Sequence, residues 1–205
     1  MSEPSTRDQA TVVEVRRSSL WSQLSPEHRS YMFWQAIVGA AIVNLILNSA
    51  IAWLTVHNED TVPRWAAPLV GGPSTITDTV GTLFILPLLT TLIFTTLARR
   101  EIRAGKLQPL GWTRESHPFL RRLPEGTLQR GLAAGAITTL VLGPPIVLAI
   151  ILLDIGDVST GTFVAYKAVF GVALGLLVTP ILALWALQSP EAYEAAEEAA
   201  EDPIG

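Results

Sequence analysis

Two asparagines lie within an otherwise apolar segment of this chain, where amide side chains could bind a partner helix, a substrate or an ion. They belong to a stripe of small or polar residues at every fourth position: Ala36, Ala40, Asn44, Asn48 and Ala52. An amide in hydrocarbon needs hydrogen-bonding partners, and small residues let a second helix approach closely. The stripe therefore predicts a face turned toward protein. There the amides either bond to the second or third helix or contact a substrate or ion.

Prolines in two later apolar segments could free backbone carbonyls for similar chemistry. Pro87 stands in a threonine-rich segment that includes Thr90, and Pro144 and Pro145 are adjacent in the next segment. A proline inside a helix releases the carbonyl four residues earlier and disfavours helical geometry at the residue before it. We expect a kink at Pro87 and a sharp bend or short unwound segment at Pro144 and Pro145. The released carbonyls either bind an ion or accept hydrogen bonds from threonine hydroxyls.

Together these features predict one candidate polar or kink site near the middle of a membrane. Its members are Asn44, Asn48, Thr90, Pro87, Pro144 and Pro145. Two charged residues near the ends of apolar segments have simpler explanations. Lys167 is expected to extend to lipid headgroups or to pair with Asp154 or Asp157. Asp78 suits the positive end of a helix dipole.

Signatures of catalysis are missing from the sequence. There are no cysteines, which excludes disulfides, thiol catalysis and cysteine-bound metals. The histidines His28, His57 and His117 fall in loops without metal-ligand spacing, and no nucleophile or phosphate-binding motif occurs. We therefore expect no catalytic residues, no cofactor and no metal, and an enzyme is the least favoured class of protein.

The distribution of charge indicates the fold class. Four windows of about 20 residues are almost uncharged, whereas a soluble helix of that length shows a polar face. We predict an all-α integral membrane protein with four transmembrane helices in two hairpins, with both termini cytoplasmic. The helices are expected at residues 33–56, 79–98, 132–153 and 163–187. The predicted regions are a tail with a possible interfacial helix at 1–32, hairpins at 33–98 and 131–188, a connector at 99–130 and an acidic tail at 189–205.

The basic connector between the hairpins sets the predicted orientation. Residues 98–130 hold eight basic residues, whereas the loops at the opposite ends of the helices hold one, Arg64. Short loops rich in Lys and Arg stay on the cytoplasmic side, so a multi-pass protein of the cell membrane is predicted. Arginines beside the bilayer are candidate contacts for anionic lipids: Arg99, Arg100, Arg114, Arg121 and Arg122. The membrane explains these residues more simply than a nucleic acid, which we do not expect as a partner.

Small-residue motifs and an acidic tail suggest how the helices and the tail are held. Gly131-x-x-x-Gly135 and Gly171-x-x-x-Gly175 predict close helix packing. The acidic residues after Pro190 have two possible fates. Either the tail is solvated and touches nothing, or it forms a helix whose carboxylates approach Arg114, Arg121 and Arg122.

Two functions from different classes fit the sequence. The first is a non-enzymatic accessory, scaffold or regulatory subunit that acts through helix–helix contacts with a membrane protein partner or with further copies of this chain. The second is a small oligomeric transporter or channel with a polar site in the middle of the membrane. The sequence names neither a partner nor a substrate.

Overall fold

The chain is described by a computed structural model over residues 24–67, 72–110, 124 and 126–201. Long helices of this part of the chain are α1 (Pro26–Val56), α2 (Thr75–Arg103), α3 (Thr127–Leu152) and α4 (Thr160–Leu187). All four are long and apolar enough to cross a membrane. The prediction of an all-α chain with four membrane-length helices is confirmed.

Local capping explains where the helices begin. Ser25 caps α1 by accepting a hydrogen bond from the backbone N–H of His28 at 3.3 Å, and Pro26 occupies the first helical position. Residues 26–32 therefore extend the helix that was predicted from 33, and Met32–Gly39 is π-helical. Ser74 caps α2 at the Thr77 N–H, which places Asp78 in the first turn.

The helices pack in the order α1–α4–α2–α3, which differs from their order in the chain. α4 contacts both α1 and α2, and α3 packs on another side of α2. In the described residues α1 and α2 hardly touch, and neither do α3 and α4, although a loop joins each pair. The predicted hairpins therefore describe the order of the helices in the chain, but the two helices of each hairpin are not packing partners.

A small sheet marks one end of the helix assembly, which we call the sheet end. β1 (Thr61–Val62) pairs antiparallel with β2 (Val158–Ser159) and joins the loop after α1 to the turn before α4. The opposite end, where α2 stops and α3 starts, is the connector end. Residues 111–123 and 125 of the predicted connector lie outside the described residues.

Both predicted glycine motifs lie at close helix contacts. A Cβ added to Gly135 would lie 2.5 Å from the carbonyl oxygen of Phe84 on α2, and Gly131 faces the same helix. A Cβ added to Gly175 on α4 would lie 2.5 Å from Nδ2 of Asn44 on α1. Glycine is needed at Gly135 because a side chain there would meet backbone, whereas at Gly175 the Asn44 side chain would have to move.

The adjacent prolines do not interrupt α3. The helix runs continuously through Pro144 and Pro145, and both side chains are exposed. The unwound segment predicted there is therefore absent. Gly143, beside the prolines, is the residue that faces α2. On α2, Pro87 is buried inside the helix and its carbonyl accepts a hydrogen bond from Thr91 Oγ1 at 2.8 Å.

A further helix, α5 (Pro190–Glu201), packs against the connector end of α2. Its buried residues Ala192 and Ala195 belong to the same apolar cluster as Ala98 and Ile102 of α2. The alternative of a solvated tail that touches nothing is therefore wrong for these residues.

Candidate functional site

A cavity of about 590 Å³ lies between α1 and α2, with α4 as its floor. We call it the α1–α2 groove. Its apolar walls include Val43, Leu47 and Ile51 of α1 and Ile85, Leu89 and Ile93 of α2. Its polar residues include Asn44, Asn48, Asp78, Thr82, Thr90, Lys167 and Thr179. The groove is open at the side because α1 and α2 hardly touch each other.

A buried charge cluster closes the floor of the groove at the sheet end. Lys167 of α4 forms an ion pair with Asp78 of α2, and its Nζ also donates to Thr82 Oγ1. Its Nζ lies 5.9 Å from the ring centroid of Phe170. The Lys167 side chain is only 3% exposed and that of Asp78 is 25% exposed. Ionisable side chains inside membrane-length helices are expensive to bury, so they are candidates for a functional role.

The prediction that Lys167 pairs with Asp154 or Asp157, or extends to the headgroups, is wrong. Those carboxylates bind Arg64 instead: its Nη1 lies 3.2 Å from Asp154 Oδ1, and its backbone N–H donates to Asp157 Oδ1 at 3.0 Å. Lys167 lies on the second turn of α4 and faces the first turn of α2. Asp78 is therefore more than the helix-capping charge that the sequence suggests.

The amides of Asn44 and Asn48 donate hydrogen bonds along their own helix. Asn44 Nδ2 donates to the Ala40 carbonyl at 2.9 Å, and Asn48 Nδ2 donates to the Asn44 carbonyl at 2.9 Å. The two side chains pack on Gly175 and Gly171 of α4. The prediction of hydrogen bonds to the second or third helix is wrong, because the helix that reaches this stripe is α4.

Thr179 of α4 is a residue of the groove that the sequence analysis missed. Its side chain is fully buried, and its hydroxyl has no hydrogen-bond partner among the described residues. Gly171, Gly175 and Thr179 follow one another at four-residue spacing, so extending the predicted glycine face by one turn would have found it. A hydroxyl in an apolar environment is stabilised when it gains a partner.

The structure brings some of the predicted mid-membrane residues together and leaves others apart. Asn44, Asn48 and Thr90 all line the groove. Pro87 is buried within α2 and is not part of the lining, and the adjacent prolines are exposed on α3, with α2 between that helix and the groove.

A second charge cluster lies at the connector end. Glu191 Oε2 of α5 accepts from Arg130 Nη2 at 2.8 Å, and Glu198 Oε2 accepts from Arg103 Nε at 2.6 Å. The acidic tail thus forms a helix that binds arginines. The partners named for it from sequence, Arg114, Arg121 and Arg122, lie outside the described residues.

Hydrogen bonds keep Glu191 charged despite its partial burial. Burial raises the pKa of Glu191, but hydrogen bonds from Thr127 and Arg130 outweigh this effect and lower the pKa to about 2. Of the candidate lipid contacts, Arg100 is exposed and Arg99 is half-buried. The Nε of Arg99 is buried without a hydrogen-bond partner among the described residues.

Comparison of the chain with protein-family models, curated proteins and solved structures gives no match. In the part of the chain that the structure describes, no group of three His, Asp or Glu side chains is placed to hold a metal ion. The groove and the two charge clusters are therefore the features from which a function can be inferred.

Proposed function

We propose that this chain is a non-enzymatic subunit of a membrane complex, an accessory, scaffold or regulatory protein whose α1–α2 groove receives a membrane-spanning helix of a partner protein. The observation that carries the proposal is the groove itself. Two consecutive helices of membrane length stand apart, although both pack on α4. In a complete bundle a further helix would occupy that space.

The walls of the groove have a shape that suits a helix. On each wall three bulky side chains follow one another at four-residue spacing: Val43, Leu47 and Ile51 on α1, and Ile85, Leu89 and Ile93 on α2. Rows at this spacing are the ridges that fit between the ridges of a neighbouring helix. All of these side chains are exposed in the isolated chain. A third helix between the walls would cover both rows.

The height of the groove also favours a helix over a lipid chain. Its lining runs from Trp34 to Ile51 on α1 and from Asp78 to Leu97 on α2, which is about 26–28 Å at ~1.5 Å per residue. That approaches the ~30 Å hydrocarbon thickness of a bilayer, whereas one acyl chain covers a single leaflet.

The decisive experiment fills the groove without disturbing the fold. Gly81 lines the groove and a Cβ there meets no atom within 4 Å, so Gly81→Trp should fold normally and block the partner helix. Gly161, on α4 outside the groove, has the same open surroundings and supplies the control Gly161→Trp. The full chain is extracted from its own membrane in lipid nanodiscs and the mass of the complex is measured.

Under the proposal the wild-type chain and Gly161→Trp occur in a complex of higher mass, and Gly81→Trp does not. A wild-type monomer, or a complex that survives Gly81→Trp, would contradict it. If the complex holds only copies of this chain, the partner helix comes from a second copy.

The orientation belongs to the same proposal: both chain ends and the connector end lie on the cytoplasmic side of the cell membrane. Basic residues of the described part concentrate at the connector end: Arg99, Arg100, Arg103, Lys106 and Arg130. Cysteines introduced at the exposed positions Asn58 and Lys106 should react with an impermeant reagent from opposite sides of the membrane. Reaction of both from one side would reject this orientation.

A small oligomeric transporter is the second candidate, because the charge cluster and the mid-depth amides line one cavity. Lys167, Asp78 and Asn44 would then form a polar path from the sheet end toward the middle of the membrane. Since the chain has no cysteine, Asn48→Cys gives a single reactive thiol. Its reaction with a water-soluble reagent would favour the transporter, and its reaction with a lipid-soluble reagent alone would favour the helix-binding groove.

A further inference from the structure

The charge cluster at the connector end has the geometry of an anion site. Arg130 is nine-tenths buried, with its side chain only 5% exposed, and its Nη2 donates to Glu191 Oε2 at 2.8 Å. The same nitrogen donates to Thr127 Oγ1 at 3.1 Å, and Thr127 Oγ1 donates to Glu191 Oε1 at 2.5 Å. Each oxygen of the carboxylate thus has a donor of its own.

We propose that Thr127 and Arg130 form a binding site for a phosphate oxyanion, which Glu191 occupies while α5 is docked. The exogenous ligand is the phosphate of an anionic phospholipid headgroup or free phosphate, and it exchanges with the Glu191 carboxylate when α5 moves away. Both ligands offer oxyanions to the same two donors.

Because Arg130 is buried, we expect a phosphate to replace the Glu191 carboxylate when α5 moves away, so that Arg130 is not left without an anion. Arginine side chains do not lose their proton in proteins, and a buried charge without a counter-ion is strongly destabilised. When α5 leaves, another anion must therefore take its place on Arg130. Arginine and hydroxyl donors bind phosphate oxygens at least as readily as carboxylate oxygens.

The other contacts of α5 are weak enough to allow exchange. Its fully buried residues Ala192 and Ala195 are small, so each contributes little apolar burial of its own to the cluster that they share with α2. Its second ion pair joins Arg103 and Glu198, whose side chains are 49% and 53% exposed, and such pairs contribute little. Glu191 is the more buried of the two charged contacts of α5, and Tyr193 Oη adds a hydrogen bond to the Leu110 carbonyl at 2.5 Å.

The surroundings of Arg130 suit a lipid ligand. Leu128 and Leu132, on the same turns of α3, are exposed large apolar residues. In a bilayer they would lie against acyl chains, since α3 is of membrane length. A lipid beside them would bring its phosphate to the level of the first turn of α3, where Thr127 and Arg130 lie.

The test uses the full chain in nanodiscs of phosphatidylcholine, of phosphatidylcholine mixed with phosphatidylglycerol, or of phosphatidylcholine with inorganic phosphate at equal ionic strength. Glu191→Gln releases the site, and Glu194→Gln is the matched control, because Glu194 is exposed on the same helix. Thr127→Val combined with Glu191→Gln removes one donor of the site. The thermal midpoint, the apparent Kd for the added anion and hydrogen exchange of α5 are measured.

In phosphatidylcholine, Glu191→Gln should lower the thermal midpoint, and phosphatidylglycerol should raise it again by more than in wild type. Its apparent Kd for that lipid should be about tenfold tighter than that of wild type, the value of one charge-assisted hydrogen bond. Thr127→Val should reverse most of this gain. Hydrogen exchange of wild-type α5 should increase with phosphatidylglycerol. An equal effect of inorganic phosphate would identify free phosphate as the ligand. Equal responses of Glu191→Gln and Glu194→Gln in every condition would overturn the proposal.

Discussion

α2 packs closely on α3, which follows it in the chain, but not on α1, which precedes it. Toward α3 it meets Gly131 and Gly135 so closely that an added Cβ would touch its backbone, whereas toward α1 it is separated by a groove. Residue size accounts for the difference, because α3 presents glycines, and the facing rows of α1 and α2 present branched side chains. Inside a membrane no hydrophobic effect drives helices together, so close contact at small residues decides which helices pack.

The small residues of α1 are used on a different helix. Its stripe, which includes Asn44 and Asn48, packs on Gly175 and Gly171 of α4. The asparagine stripe of α1 is thus in contact with α4, and the bulky row Val43, Leu47 and Ile51 is left facing the groove. A partner helix that enters the groove would need to bring its own small residues, which is a property to seek in candidate partners.

The largest expected effect comes from the polar contact that holds α4 to α2. Lys167→Met leaves the Asp78 carboxylate without its partner, and breaking a buried pair in this way costs about 3 kcal/mol, since Asp78 is partly exposed. The free energy of unfolding in detergent should fall by that amount. This would show that α2 needs a charge pair where it lacks glycine contacts.

The control for Lys167→Met is the double variant Lys167→Met with Asp78→Leu. Replacement of a whole buried pair by apolar residues is often close to neutral, so most of the loss should be recovered. A single variant as stable as wild type, or a double variant less stable than the single one, would show that the pair does not hold these helices.

The next prediction compares the face of α2 that packs on α3 with the face of α2 that lines the groove. A side chain at Gly135 meets the Phe84 carbonyl, so Gly135→Leu should cost about 2 kcal/mol through overpacking. Gly81→Leu on the groove side meets open space and should be neutral or slightly stabilising. Unfolding of both variants in detergent tests the comparison directly, and equal losses would contradict it.

Local patterns were sufficient to predict the elements of the fold. The uncharged windows gave four helices, although α1 begins at Pro26 and not at the predicted residue 33. The glycine motifs identified faces that are in close contact, and the asparagine stripe identified a face that packs on protein. These features depend on residues within a few turns of each other, so the sequence shows them directly.

Which faces meet could not be predicted from local patterns. Lys167 and Asp78 are far apart in the chain and come together only because α4 lies between α1 and α2. The asparagines were expected against the second or third helix for the same reason. Pro144 and Pro145 lack the backbone N–H that a helix uses for hydrogen bonds, but this does not determine whether that part of α3 faces a cavity.

Low pH should reduce the free energy of unfolding by about 2 kcal/mol through the contact between α5 and α3 at the connector end. The folded-state pKa of Glu191, about 2, lies below its ordinary value of 4.5. Its contribution is therefore fully present above pH 4.5 and is lost as the pH falls toward 2. Between about pH 5 and pH 2 the wild type should lose about 2 kcal/mol more unfolding free energy than Glu191→Gln. Parallel pH profiles would show that this pair does not stabilise the fold.

The smallest effect concerns the side of α1 that packs on α4. Asn48→Ala removes an amide that donates only to its own helix, so the loss should be about 0.6 kcal/mol. Asn48→Leu adds bulk against Gly171, and overpacking should bring its loss to about 1 kcal/mol or more. Unfolding of both variants in detergent separates the two contributions. If Asn48→Leu is less destabilising than Asn48→Ala, the side chain at this position does not pack tightly on Gly171. Asn48 would then act through the groove that it lines.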